Sequence, residues 1–324
     1  MGGAARGGQS RPQEAGVGLT RTRHSVLSGR DVAPPSADLD TLLVALYVVA
    51  DDLLPKRVGR GRPPRIANAE LVCLAVAQVL LDCPSERRWL RFARRRLGHL
   101  FPYLPKQPGY NKRMRALAPE VCLVLRHLAG RSPSVDDSVR LLDSTPVACG
   151  ASRETVKRSE LTGHASYGYC VSHRRFFWGF RLHLLCTPDG MPVDFCLAPA
   201  NSPEREVAAA MLERRPLTPG QVVVTDKGFA GSDFERLVAS MGALLVRPDR
   251  KDERTRFGSL GRVRQWIESV FDTLKGQLSL ERHGGRTPAG VFVRVAQRLL
   301  ALAAAVWLNR QIGRPRRSLI AYDH

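Results

Sequence analysis

Three acidic residues of this chain stand where an isolated carboxylate is costly to place. Asp143 interrupts the apolar run VRLLDSTPV, Asp226 ends QVVVTD, and Glu268 lies in the helix-patterned segment RVRQWIESVFDTLKGQ. A carboxylate in or just after a β-branched apolar run loses hydration that something cationic must replace, and a divalent metal is the natural compensator. Arg264 lies four residues before Glu268 and Lys275 seven after it, so helical spacing puts all three on one face. Oxygen-only ligands select Mg²⁺ or Mn²⁺ over zinc. A sheet carrying Asp143 and Asp226, approached by a helix bearing Glu268, is a way to hold two such ions a few ångströms apart. One ion then activates a water or a 3′-hydroxyl and the other stabilises the leaving oxygen, while Arg264 and Lys275 neutralise phosphates beside the scissile bond. Lys227 fits a turn and is a further candidate phosphate contact. Each acid also has an ordinary reading, as a turn or cap residue for the aspartates and as a solvated ion-pair ladder for Glu268. Ser144 and Thr145 follow Asp143, but no histidine is placed to complete a triad, so both read as structural hydroxyls.

The elements that must position these residues are legible as changes of period. Near Pro133 the hydrophobic pattern passes from helical to strand-like, which predicts a domain boundary. VRLLDSTPVAC reads as a first strand, and FFWGFRLHLLCT and MPVDFCLAPA as a hairpin around Pro188, Asp189 and Gly190. A helix over roughly 203 to 214, the strand QVVVTD, a helix from about 231 to 241 and the short strand ALLVRP follow. Strands first, then alternating strand and helix, predict a mixed α/β sheet. Residues 259 to 279 read as the helix of Glu268, packed into the sheet through Trp266 and Phe271, and 287 to 310 as a long apolar helix. Arg294, Gln297 and Arg298 interrupt that last run, so it reads as a buried helix of a soluble protein with no membrane partner.

Upstream, residues 38 to 132 read as an all-helical, arginine-studded module. The predicted helices run from Leu39 to Leu54, capped by Asp38 or Asp40, from a cap at Asn68 to a stop at Pro84, from Ser85 through ERRWLRFARRRLGHL, and through NKRMRALAPEVCLVLRHLAG. In the third, Trp89 and Phe92 pack the helix while Arg87, Arg91, Arg94 and Arg95 form either a solvated basic face or a phosphate-tracking surface of a helix-turn-helix-like domain. In VGRGRPPR, Arg60 and Arg62 around Gly61 are either an ordinary basic linker or a minor-groove contact. Residues 1 to 37 read as a disordered basic tail and 313 to 324 as a C-terminal tail.

Composition sets the partner more than the reaction. With 50 Lys and Arg against 30 Asp and Glu, a formal charge of +20 over 324 residues attracts polyanions, nucleic acid foremost. The seven cysteines show no C-x-x-C spacing and point to a reducing compartment. His164, Cys170, His173 and His183 fit no zinc-ligand pattern.

In order along the chain, LLDSTPV, GYCVSHRRFFWGFRLHLL, LAPANSPE, VVTDKGF, VRPDRKDE and RQWIESVFDTLKGQ resemble the motifs of bacterial insertion-sequence transposases of the DDE class. The resemblance covers roughly residues 138 to 280, and the R-x-x-x-E-x-x-x-x-x-x-K element is met by Arg264, Glu268 and Lys275. It implies a ribonuclease H-like catalytic domain over 133 to 312, preceded by a helical DNA-binding domain over 38 to 132. It further implies a metal-binding catalytic triad of Asp143, Asp226 and Glu268 and two Mg²⁺ or Mn²⁺ ions. The implied partners are terminal inverted repeats and target DNA, handled by a homodimer or higher assembly in the bacterial cytoplasm, on the nucleoid. Gly261 stands where relatives carry a tyrosine, and only 42 positions separate Asp226 from Glu268, too few for the insertion with which some relatives handle a DNA hairpin. Arg181 replaces a common lysine, and His183 is left between a place near the metal and a place in the core. The competing expectations are a structure-specific nuclease on the same fold and a non-catalytic DNA-binding or repressor protein.

Overall fold

Asp38 accepts the backbone N–H of Thr41 and opens helix α1 (Leu39–Leu53). The structure, a computed structural model, describes residues 38–56, 64–170, 174–250, 253–257 and 260–322; Arg60, Arg62, His173 and the expected N-terminal tail, residues 1 to 37, lie outside that set, whereas the expected C-terminal tail from 313 packs onto the body, with Leu319 and Tyr322 buried and the Tyr322 hydroxyl donating to Asn309 at 2.6 Å. α2 (Asn68–Leu80) follows, with Ala67 rather than Asn68 at the cap position and Glu70 accepting the Ala67 N–H. Ser85 caps α3 (Glu86–Arg96) as expected. The segment predicted as one further helix is two, α4 (Gln107–Ala116) and α5 (Ala118–Gly130). Pro119 explains the break, because a proline belongs in the first turn of a helix and not in its interior.

The strands come next: β1 (Val139–Gly150), short helix α6 (Arg153–Lys157), β2 (Ser166–Cys170), β3 (Arg175–Cys186) and β4 (Pro192–Pro199). Then α7 (Glu204–Arg214), β5 (Val222–Val224), α8 (Ser232–Ser240) and β6 (Leu244–Val246) alternate, before α9 (Gly261–Asp272) and α10 (Pro288–Gln311). One mixed sheet results. β1 lies centrally, antiparallel to β3 on one side and parallel to β5 on the other, with β6 parallel beyond β5. β3 is long enough to pair with β2 through its first half and with β4 through its second. It crosses β1 at Gly179, where a Cβ would come within 2.2 Å of the Val147 carbonyl oxygen.

Alternation along β1 sends Leu141 and Val147 into the core formed with α9 and α10, and Leu142 into a second cluster with Ala208, Met211 and Val238 of α7 and α8. α10 is apolar on all sides because it is enclosed on all sides, by α1, α2 and α5 and by β4. Its polar residues find partners: Arg294 is paired with Glu86 of α3, Gln297 donates to the Ala75 carbonyl at 2.6 Å, and Arg298 donates to those of Ser279 and Arg294 at 3.0 and 2.9 Å. The hydrophobic core therefore runs across the change of periodicity at Pro133, from Leu42 of α1 to Leu182 of β3, and residues 34–324 form one compact unit.

Candidate functional site

Asp143 and Asp226 are brought together by strand register. Leu141 of β1 is paired with Val224 of β5 in parallel, and two residues further on come Asp143, inside β1, and Asp226, just past the end of β5. The parallel pairing is what aligns them, because β1 and β5 run in the same direction. The place is also where the sheet changes from antiparallel to parallel neighbours, the position at which open α/β sheets leave a crevice. A small cleft there is lined by Leu141, Asp143, Thr225, Asp226, Arg264 and Ile267 among others, so α9 forms its opposite wall.

The cleft is electrostatically loaded. Burial pushes the Asp143 carboxyl up to about 7; the Ser144 N–H bonded to it at 2.7 Å works the other way, and the charges of Asp226 and Glu204 push it further up. Burial likewise raises Asp226, although it accepts the Gly228 N–H at 2.8 Å, and here too Glu204 raises and Arg264 lowers. Asp226 thus caps the turn Lys227–Phe229, its ordinary reading, and also lines the cleft. Lys227 is exposed in that turn.

Glu268 stands apart from this pair. Its side chain is 55% exposed and lies 3.5 Å from Arg264, one turn earlier on α9, and it does not line the cleft. Among the described residues no three His, Cys, Asp or Glu side chains converge closely enough to hold a metal ion. The expected common face of Arg264, Glu268 and Lys275 is interrupted as well. After Asp272 the helix widens to π geometry over Thr273–Gln277, which advances Lys275 off the α-helical stripe into a different cleft, beside Arg153 and Arg175. Trp266 is exposed, so Ile267, Val270 and Phe271 fix α9 to the sheet in place of the expected Trp266 and Phe271.

Glu204 is the site residue that sequence reasoning passed over. It lies in the first turn of α7, accepts from the Ser144 hydroxyl at 2.7 Å and pairs with Arg181 at 2.8 Å, while Arg181 also donates to Ser144 Oγ at 3.2 Å and to the Tyr169 carbonyl at 2.7 Å. Ser144 is thus a structural hydroxyl. LAPANSPE enters only through the resemblance to the DDE-class motifs; nothing in its pattern places Glu204 behind Asp143. His183 faces Ser144 across β1 and β3, on the side of the sheet opposite Asp143. It is fully buried, neither ring nitrogen has a hydrogen-bond partner, and burial lowers it to about 4, so it is a neutral core imidazole.

On α3, Arg87, Arg91 and Arg95 are exposed, whereas Arg94 donates to the carbonyls of Leu104 and Pro105 at 3.4 Å each and clamps the following loop. Trp89 anchors the helix; Phe92, expected to share that task, is exposed.

Two acids aligned on adjacent parallel strands, a third pressing its charge on both, and a helix supplying one cation form a cleft that needs positive charge. Hard oxygen donors in such a cleft fit a divalent cation, with Asp143 and Asp226 the residues that could hold it. The model of the transposase DDE domain family matches residues 134–304, a span that includes every element named around the cleft. The chain belongs to this family of transposases, whose members cleave and transfer DNA and generally use divalent metal ions. Among solved structures, a piggyBac transposase synaptic complex with hairpin DNA aligns with a TM-score of 0.40 and 8% identity, covering 87% of this chain and 77% of that one. So loose a likeness adds nothing to the geometry. No curated protein matches the chain by sequence.

Proposed function

We propose that this transposase binds the terminal inverted repeats of its own element, cleaves there to expose 3′-hydroxyls, and joins them to target DNA, on a ribonuclease H-like scaffold. The observation that carries the reading is the alignment of Asp143 and Asp226 across parallel β1 and β5, with their ionisation opposed by burial and by Glu204. Asp143, Asp226 and Glu268 are the proposed metal ligands, Glu268 being one helical turn from the Arg264 that lines the cleft. Two bound Mg²⁺ or Mn²⁺ ions would supply an activated water or 3′-hydroxyl and compensate charge on the leaving oxygen. The chain's own groups do the rest. Arg264 counters charge at the cleft, Lys227 and Lys275 contact phosphates, and the buried walls of Leu141 and Ile267 limit water. Helices α1–α5 serve as the DNA-binding part, with Arg87, Arg91 and Arg95 tracking the backbone and Arg60 and Arg62 extending the contact. Two ends must be held together, so the working form is a dimer or larger assembly, acting on DNA in the bacterial cytoplasm.

The test is incubation of the full chain with labelled DNA flanking its gene, target plasmid and Mg²⁺. Strand-transfer products that vanish in Asp143→Asn and Asp226→Asn support the reading. Cleavage without joining would make the protein a nuclease, and a metal-independent mobility shift alone would make it a binder.

A further inference from the structure

The ribbon formed by β2 and the first half of β3 reaches the main core on one face only through Trp178 and leaves the rest of that face in water. Tyr169 is directly opposite Phe176 and Tyr167 directly opposite Trp178, so the four rings share that face. Trp178 is covered, but Tyr167, Tyr169 and Phe176 are 54%, 42% and 76% exposed. The Tyr169 and Phe176 rings touch, with centroids 5.0 Å apart and planes inclined at 58°. On the opposite face Phe177 and Cys170 are buried in a small separate cluster with Ala200. Three large rings left in water on a strand pair that has a buried face to use are not explained by folding.

Beside the rings lies an open cleft of 770 Å³, bordered by Tyr167, Phe176, Trp178, Arg153, Arg175 and Lys275. Its volume falls within the roughly 300–1,000 Å³ of ligand sites. Glu281 is its acid, 3.8 Å from Arg175, and against three cations it leaves the cleft positive. Pro146, three residues along β1 from Asp143, also borders it, so the cleft adjoins the strand that carries the candidate chemistry. Exposed rings beside cations suit a ligand with flat faces and an anionic backbone. Bases within a duplex do not present their faces, whereas an unpaired strand does.

We propose that this aromatic face and the adjoining cleft bind unpaired nucleotides of a DNA strand, with bases stacked on Phe176, Tyr169 and Tyr167 and phosphates met by Arg153, Arg175 and Lys275. DNA as the partner rests on the reading above; the preference for unpaired strand does not, and its test needs no catalysis. In fluorescence anisotropy without divalent metal, the full chain is titrated against a short labelled single-stranded oligodeoxynucleotide and against a blunt duplex. Phe176→Ala is expected to weaken single-strand binding about tenfold, the loss typical of one stacked base, with duplex binding unchanged and Phe176→Trp restoring affinity. Because Phe176 is so exposed, its thermal transition should stay that of wild type. Unchanged single-strand binding in the Phe176→Ala/Tyr167→Ala double variant overturns the proposal, and so does an equal loss on both probes. A fall in molecular mass of the DNA-free protein on Phe176→Ala also overturns it, since the face is then an interface between copies. Selective loss of single-strand affinity in a protein that joins no DNA would leave this site standing and remove the strand-transfer reading; strand transfer untouched by Phe176→Ala together with unchanged binding would do the reverse.

Discussion

Around α10 the fold supplies a counterpart for buried charge, whereas between β1 and β5 it gathers like charges. Arg294 meets Glu86, and Arg298 meets the carbonyls of Ser279 and Arg294, even though burial lowers Arg298 to about 9. Asp143 instead meets the fields of Asp226 and Glu204, with Arg264 the opposing cation. Both regions bury ionisable groups at the cost of hydration. The first returns that cost as hydrogen bonds joining helices distant in sequence; the second leaves it open to something that is not part of the chain.

The largest effect should separate chemistry from binding. Asp143→Asn or Asp226→Asn is expected to lower strand cleavage at least a thousandfold, measured on labelled ends, while the mobility shift of the same DNA is retained. Next comes the paired region. Glu86→Ala leaves the buried Arg294 charge without its carboxylate, with only Gln78 and Gln297 as acceptors, and should cost about 3–5 kcal/mol in urea denaturation, a drop of roughly 10 °C in Tm, with most of it recovered in Glu86→Leu/Arg294→Met. The unpaired region should respond in the opposite sense. The folded pKa of Asp143 lies near 7, above the 3.8 of the unfolded carboxyl, so the contribution of the neutral acid is complete below pH 4 and is lost as pH rises through 7. Asp143→Asn should therefore stabilise the metal-free protein by about 2 kcal/mol at pH 8 and by almost nothing at pH 4, the figure allowing for the partial solvent contact of the residue. Mg²⁺ should raise the Tm of the wild type and not that of this variant. The smallest contrast lies on α3: Arg91→Ala should reduce the salt slope of DNA binding by about one with unchanged stability, whereas Arg94→Ala should cost about 1 kcal/mol through its lost loop carbonyls.

What was legible in the sequence was what is encoded locally. Alternating apolar runs located β1, β3 and β4, the sequence Pro188-Asp189-Gly190 located their turn, and apolar character throughout marked α10 as enclosed. Strand β2 escaped because its outward positions are Tyr167 and Tyr169 and its inward ones include Gly168, which inverts the usual alternation. Asp143 and Asp226 were recognisable because each disturbs an apolar run. Glu204 disturbs nothing in its own helix, and its nearness to Asp143 exists only once α7 has packed on the sheet. The π turn at Thr273 is equally silent, since α-helical spacing continued through it places Lys275 on the stripe of Arg264 and Glu268.

The enclosure of α10 has a mechanical consequence. A helix gripped by α1, α2 and α5 on one side and by the sheet on the other, and bolted by Arg294 to α3, ties the arginine-bearing helices to the acidic cleft through packed side chains. Packing thus sets their separation. If DNA spans both, the bending needed to bring a scissile phosphate to Asp143 must be done by the duplex, so flexible base steps between the two footprints should be favoured over stiff ones.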